Sequence, residues 1–279
     1  MPNVLVTGGL GYIGRSTVAL LESQGFTCVI VDQVSGDDTK DLLAMSKTYA
    51  KYRPVAVVHL SAKKSIGESL KHPISYYYNN VLSTLVVAFL SWAFKTPIVF
   101  SSSAAVYEPT NPYAKAKKIE EQIIKRVTKH VILRYFNIGG QSNGSIDLGS
   151  VNIFGVINRA VTGKKTFTVN DPVSTRDYTH VEDIARANLC AVVHLLNNGA
   201  PVLTDVYSGT QHTVPQILEQ YAKNGVEIQV MYGDTKDTTV YPTVKTLDAI
   251  GWASTQTFND IVRSEVEGLK YELGAKGNF

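Results

Sequence analysis

The chain has 279 residues, of which 44% are hydrophobic and 18% charged, with a formal net charge of +3. That balance excludes a disordered chain, and without a basic stripe interleaved with aromatics it excludes nucleic acid as the expected partner. No segment reaches the roughly 18 apolar residues of a membrane span, and Cys28 and Cys190 have no partner at metal or redox spacing. With no leader-like stretch before Val4, the expectation is a soluble cytoplasmic protein with no bound metal.

Short apolar runs at Val4–Val6, Cys28–Val31, Ala56–Leu60, Ile98–Phe100 and Val131–Leu133 predict strands covered on both faces. Helix-period segments at Ile13–Ser23, Asp41–Lys51 and Val81–Phe94 separate them. This βαβ alternation predicts an α/β fold built on a doubly wound parallel sheet. The first strand runs into Gly8-x-x-Gly11-x-x-Gly14, with Tyr12 and Ile13 opening the next helix. Glycines there permit a tight turn and close approach of a pyrophosphate to the helix N-terminus. Asp32 ends the second strand, eighteen residues after Gly14. A carboxylate at that point accepts ribose hydroxyls and repels a 2′-phosphate, which predicts NAD as the cofactor rather than NADP.

The strand at Ile98–Phe100 leads into Ser101-Ser102-Ser103 at the carboxyl edge, where such sheets bind ligands. Asn111-Pro112 then starts a helix, as N-cap and first helical residue. Tyr113 and Lys117 are four apart and share a face of it. The apolar residues Ile119, Ile123 and Val127 form a stripe about 200° away, so one face is expected to anchor the helix while the other meets a cleft. Hydride transfer at a carbinol carbon needs a base, and nearby cations favour a phenolate. Tyr113 is therefore the expected base, with Lys117 beside it and Ser103 sharing the proton or orienting the substrate oxygen. His59 and His180 sit in apolar runs and read as structural.

From about residue 139 the character changes. Gly139 to Gly144 signals a loop, and a smaller α/β lobe is expected over 139–279, after a nucleotide domain over 1–138, with some segments returning to the first domain. Helices are expected at Asn152–Val161, Ile184–Leu196, Val214–Lys223 and Phe258–Leu273, and strands near Phe167–Val169 and Val226–Met231.

These stretches resemble the extended short-chain dehydrogenase/reductases and, within them, the UDP-glucose (UDP-galactose) 4-epimerases. The likeness lies in Val6-Thr7-Gly8-Gly9 with Gly11-Tyr12-Ile13-Gly14, in Val58-His59-Leu60-Ser61-Ala62 with Lys64, and in Gly67-Glu68-Ser69. It continues through Tyr76-Tyr77 with Asn79-Asn80, the serine run, Asn111-Pro112-Tyr113, Leu133-Arg134-Tyr135-Phe136-Asn137 and Arg176-Asp177-Tyr178. The resemblance implies a Rossmann-like domain. It implies that Asp38 contacts the adenine, and that Leu60, Ser61, Ala62, Lys64, Asn79, Ser101 and Tyr135, together with Tyr113 and Lys117, line the cofactor site. It further implies that Asn137, Asn152, Arg176 and Tyr178 hold a uridine diphosphate, a guanidinium fork being suited to phosphate oxygens. The implied reaction is inversion at C4 of a UDP-hexose through a transient 4-keto sugar. The implied assembly is a homodimer, for which Val81–Phe94 and Ile119–Val127 are the apolar helices.

The chain also departs from the family. Only five residues separate Asp32 from Asp38, too few for the helix and outer strand usual there, so the sheet is expected to lack that strand. Glu108-Pro109-Thr110 is nearly all that remains of the loop before Tyr113. No arginine stands near Tyr232, leaving Lys236 as a substitute, and Thr239 falls near the expected sugar-size gate. Two other readings compete: a nucleotide-sugar 4,6-dehydratase, which needs an acidic pair where Ala104-Ala105 stand, and a non-catalytic NAD-binding regulator.

Overall fold

The computed structural model describes residues 1–142, 146, 152–163, 165–233 and 247–275. The chain divides into two compact units. The first takes Met1–Tyr135, Ile184–Val206 and Thr243–Ala253, the second Phe136–Asp183, Tyr207–Pro242 and Ser254–Phe279.

In chain order the first unit opens with β1 (Asn3–Thr7), α1 (Tyr12–Ser23), β2 (Thr27–Val31), α2 (Leu42–Tyr52) and β3 (Ala56–His59). Two short helices follow, α3 (Ile66–Lys71) and α4 (Pro73–Tyr76), then a π-helical turn at Tyr77–Val81 that runs into α5 (Leu82–Ala93). β4 (Ile98–Ser103), α6 (Pro112–Ile124) and β5 (His130–Tyr135) complete the run. The second unit begins with β6 (Asn137–Gly139), α7 (Ile153–Thr162), β7 (Phe167–Val169) and β8 (Arg176–His180). The chain then returns to the first unit with most of α8 (Val181–Leu196) and all of β9 (Val202–Val206). The second unit resumes with β10 (Gln211–His212), α9 (Val214–Lys223), β11 (Val230–Tyr232) and α10 (Phe258–Ala275).

One six-stranded sheet of order β2-β1-β3-β4-β5-β9 forms the frame of the first unit. Every neighbouring pair in it is parallel. Both faces are covered, so Leu5, Val57, Phe100 and Ile132 are buried in one core with Val87 and Leu90 of α5. The expected doubly wound sheet is present. As the five-residue step implied, β2 is an edge strand: only a 3-10 turn (Gln33–Ser35) and α2 lie between β2 and β3. At the other edge, β9 was not foreseen. Its sequence Val202-Leu203-Thr204-Asp205-Val206 interrupts the apolar run with Asp205, whose carboxylate accepts from the Tyr107 hydroxyl at 2.7 and 2.8 Å.

The second unit carries a three-stranded sheet, β10-β8-β6, and a two-stranded one, β11-β7. Phe154, Ile157, Tyr178, Ile217, Tyr221 and Ile261 are among its core residues. The strand expected over Val226–Met231 forms only from Val230, because Gly225 takes a left-handed φ of 82° as α9 ends and Val226 N–H bonds back to Tyr221 O at 3.0 Å. Among the described residues, no helix is long and apolar enough to cross a membrane.

Candidate active site

The glycine turn is fixed by contacts that only glycine allows. Gly8 takes a φ of 73°, in the left-handed region, and its N–H donates to Val31 O at 2.9 Å. A Cβ on Gly8 would stand 2.9 Å from Ser61 N, and one on Gly14 would collide with Gly8 O and lie 2.7 Å from the Gly9 backbone. The α1 N-cap is Gly11, which has no side chain to cap the helix, so no capping side chain stands between the positive dipole end and a ligand. Asp32 ties the turn to β2. Its Oδ2 accepts from Leu10 N and its Oδ1 from Val34 N, both at 3.0 Å, and each oxygen keeps a lone pair.

Around this turn lies a cavity of about 270 Å³. Gly8, Gly11, Tyr12, Ile13, Gly14 and Asp32 line one part of it; Leu60, Ser61, Ala62, Lys64 and Asn79 line another. All eleven are residues expected from the sequence. The lining also includes Gln33, Thr39, Lys40, Lys63, Asn80 and Ser83, which sequence reasoning missed. Asn80 had a legible signal, since it adjoins Asn79. Both line the cavity, and on the π-helical turn Asn80 also clamps Lys63 by its N–H and its carbonyl, both at 2.9 Å. Lys40 had none, because its place follows from the shortened connection. The cradle that a Cβ would fill, the open helix end and the carboxylate of Asp32 together fit a dinucleotide.

Five expected cofactor residues do not line this cavity. Asp38 is exposed and pairs with Lys40 at 2.8 Å. Tyr135 is buried in the sheet, and its hydroxyl donates to Asn188 Oδ1 at 2.7 Å. Ser101 donates to His59 O at 3.0 Å. Tyr113 and Lys117 lie on α6.

Of the three serines ending β4, Ser102 donates to Glu121 Oε1 at 2.6 Å, while Ser103 accepts from Ala105 N at 3.2 Å and opens a 3-10 turn over Ala104–Tyr107. Ser101 and Ser102 are buried; Ser103 is half-buried and is the open member of the run. Asn111 caps α6, its Oδ1 accepting from Ala114 N at 2.9 Å, with Pro112 at the first helical position. Tyr113 is half-buried, in the first turn of the helix. Lys117 is 2% exposed, and its Nζ donates to Ser101 O and to Glu120 Oε2, each at 3.0 Å. The Phe100 ring lies 4.7 Å from that ammonium, a cation–π contact. α6 packs on β4 and on the 3-10 turn, which places Ser103, Tyr113 and Lys117 on adjoining elements of one unit.

The apolar stripe anchors α6 only in part: Val127, just past the helix end, is a core residue and Ile123 packs against that core. Ile119 is 44% exposed, and the buried residues are Ala114, Ala116, Lys117, Glu120, Glu121 and Ile124. Buried charge is tolerated when paired. Glu121 accepts from Arg134 at 2.7 Å through both oxygens, and this fork pushes the guanidinium's pKa up. Behind this set lies His59, fully enclosed between Thr7 at 2.6 Å and Thr84 at 3.1 Å. Burial, with the Lys117 charge adding to it, pushes its pKa down to about 3.

The four residues expected to hold the diphosphate all lie in the second unit. Asn137, on β6, donates to Asp177 O at 3.0 Å, and Asn152 caps α7 through Gly155 N at 2.8 Å. Arg176 is half-buried on β8 and donates to Thr175 O at 2.9 Å. Asp177 turns instead to Ser208 N and Gly209 N, both at 2.8 Å. Tyr178 is a core residue, edge-on to Phe154, and burial pushes its pKa up to about 12. Lys236 and Thr239 lie outside the described residues.

A model of the NAD dependent epimerase/dehydratase family matches residues 4–206. The UDP-glucose 4-epimerase of Rhizobium leguminosarum bv. trifolii is 30% identical, over 94% of this chain and 95% of its own length. Among solved structures, the UDP-glucose 4-epimerase from Brucella ovis in complex with NAD matches with a TM-score of 0.88 at 28% identity, covering 95% of this chain and 97% of that one. The enzyme from Bifidobacterium longum in complex with NAD+ and UDP matches with a TM-score of 0.86 at 26% identity, covering 99% of each chain.

Proposed function

The chain belongs to the NAD dependent epimerase/dehydratase family, and on that premise we propose that it is an isomerase that inverts C4 of a UDP-hexose, interconverting UDP-galactose and UDP-glucose. The carrying observation is the glycine cradle in the same unit as a half-buried Tyr113 backed by a buried Lys117. NAD held in this cradle would supply a reversible hydride acceptor for C4.

The protein's own part is acid–base and positional. The turn at Gly8, Gly11 and Gly14 receives the pyrophosphate, and Asp32 accepts the adenosine ribose hydroxyls. Tyr113 removes the proton of the 4-hydroxyl and later returns it to the oxygen of the 4-keto sugar. Lys117 favours the phenolate through its charge, and Ser103 orients the sugar oxygen. Asn137, Asn152, Arg176 and Tyr178 fix the uridine diphosphate, so the sugar turns over about a tethered handle. Ala104 and Ala105 offer no acid where elimination of water would require one, which sets dehydration aside.

The acting form is a homodimer. Leu85, Phe89 and Trp92 recur at i, i+4 and i+7 on α5, at 50%, 50% and 60% exposure, beside Ile119 on α6. A contiguous exposed apolar stripe of this kind calls for a partner, and a second copy supplies the same stripe. The free thiols of Cys28 and Cys190 suit the reducing cytoplasm.

The test is turnover of UDP-galactose to UDP-glucose by the purified protein with no NAD added. Absence of conversion for every UDP-hexose, with the protein folded and NAD bound, would reject the assignment.

A further inference from the structure

Glu120 carries a feature that packing does not explain. It is fully buried, yet its Oε1 is a side-chain oxygen with no hydrogen-bond partner, the one such buried atom among the described residues. An unpartnered buried oxygen is costly, and an apolar side chain of similar volume would cost less if filling space were the only task. Its other oxygen accepts twice, from Lys117 Nζ and from Thr84 Oγ1, each at 3.0 Å. Tyr113, Lys117 and Glu120 stand at i, i+4 and i+7, so the glutamate extends the reactive face of α6 by one turn.

We propose that Glu120 is a positioning residue for the acid–base pair, a buried counterion that fixes the Lys117 head and offsets part of its charge behind Tyr113. The inference rests on the roles given above to Tyr113 and Lys117. The lysine ammonium has three donors. Ser101 O takes one and Glu120 takes another, so the head is held from the main chain on one side and from a carboxylate on the other. The charge balance matters because Tyr113 must accept a proton in one half-reaction and return it in the other. Proton transfer in both directions is fastest when neither form of the tyrosine is strongly preferred. An uncompensated ammonium would favour the phenolate throughout; a carboxylate 3.0 Å from that ammonium moderates it.

A hydrogen-bond chain leads from Glu120 toward the glycine turn. Thr84 gives its proton to Glu120, so it accepts from His59 Nε2, and Thr7 donates to His59 Nδ1 while accepting from Ser61 N at 3.4 Å. His59 is thereby held neutral, leaving Lys117 as the only cation in contact with Glu120 among the described residues. The other titratable groups on elements packed against α6 are Tyr77 and Tyr78 on the π-helical turn, Lys71 on α3, and His130 and Tyr135 on β5. Four more have partners of their own: Glu68 with Tyr76 at 3.0 Å, Arg134 with Glu121, and Tyr107 with Asp205.

The test compares wild type with E120Q, E120M and E120D, all as NAD-loaded protein. Two readouts are followed against pH: kcat/KM, and phenolate absorbance taken as the difference from the corresponding Tyr113→Phe protein. E120Q and E120M should each move the acidic limb and the absorbance titration to lower pH by about one unit, and E120D should stay near wild type. Unmoved titrations in folded E120Q and E120M would overturn the proposal. So would failure of both to fold while E120D folds, which would make the residue purely structural. The absorbance titration needs no turnover, so it decides the role of Glu120 even where the sugar assay rejects the epimerase reading.

Discussion

Tyr113 is open where Lys117 and Glu120 are closed, and this gradient along one helix face sets what each substitution should do. Tyr113→Phe removes only the hydroxyl; turnover should fall by about 10²- to 10⁴-fold, while NAD content and thermal midpoint stay at wild-type values. His59 makes a separate statement about stability. Its pKa is about 3 in the folded chain, against about 6.5 when unfolded. Between those values the unfolded chain holds a proton that the folded chain refuses, so stability is complete above about pH 6.5 and declines as pH falls toward the folded value. The decline attributable to this ring is up to about 1.4 kcal/mol per pH unit. Denaturant melts from pH 7 to pH 4.5 should show it, and His59→Gln should flatten the slope in that window even though it lowers stability at pH 7. An unchanged slope would mean that the ring is protonated in place.

At the scale of elements, two turns carry the site. A Cβ on Gly14 meets backbone rather than a movable side chain, so Gly14→Ala should destabilise the first unit by about 1–3 kcal/mol and abolish NAD binding, read by denaturant titration and calorimetry. Asn111 holds the first turn of α6, where Tyr113 sits; Asn111→Ala should cost about 1 kcal/mol and depress turnover through the mispositioned tyrosine, with the melting curve as the check. The same helix marks the limit of hydrophobic pattern. Of the stripe Ile119, Ile123 and Val127, the last two pack in or against the core as their period suggests, but Ile119 is exposed and the buried face also carries Lys117, Glu120 and Glu121. Their burial is tolerable because Ser101, Ser102, Thr84 and Arg134 arrive from β4, α5 and β5 to partner them. A period count weighs residues singly and takes no account of partners that other elements bring.

For the whole molecule, the proposed assembly rests on the exposed face of α5. Phe89→Glu with Trp92→Glu places two charges on the exposed stripe of α5, whose rings now lie 6.1 Å apart. Light scattering should report a dimer for wild type and a monomer for the double variant, with circular dichroism unchanged. A monomeric wild type at the same concentration would remove the proposed pairing. The chain's two units are not contiguous in sequence: α8 and β9 lie in the second half of the chain, yet most of α8 and all of β9 belong to the first unit.

What the sequence determined by itself was local. The glycine turn, the capped start at Asn111-Pro112, the alternation of strand and helix, and the missing outer strand after Asp32 each depend on a few neighbouring residues, whose steric and hydrogen-bonding needs are legible in order. Eleven of the cavity's lining residues were legible for the same reason, since they cluster at strand ends and in short motifs. Tertiary structure alone decided that α6 also buries Lys117, Glu120 and Glu121. It also gave β9 the sheet's second edge, turned Tyr135 to Asn188 fifty-three positions away, and set Glu120 against Lys117 with one oxygen unpaired. In each case the partner is supplied by a distant segment, and the free energy of burying a polar group has no sign until that partner is in place.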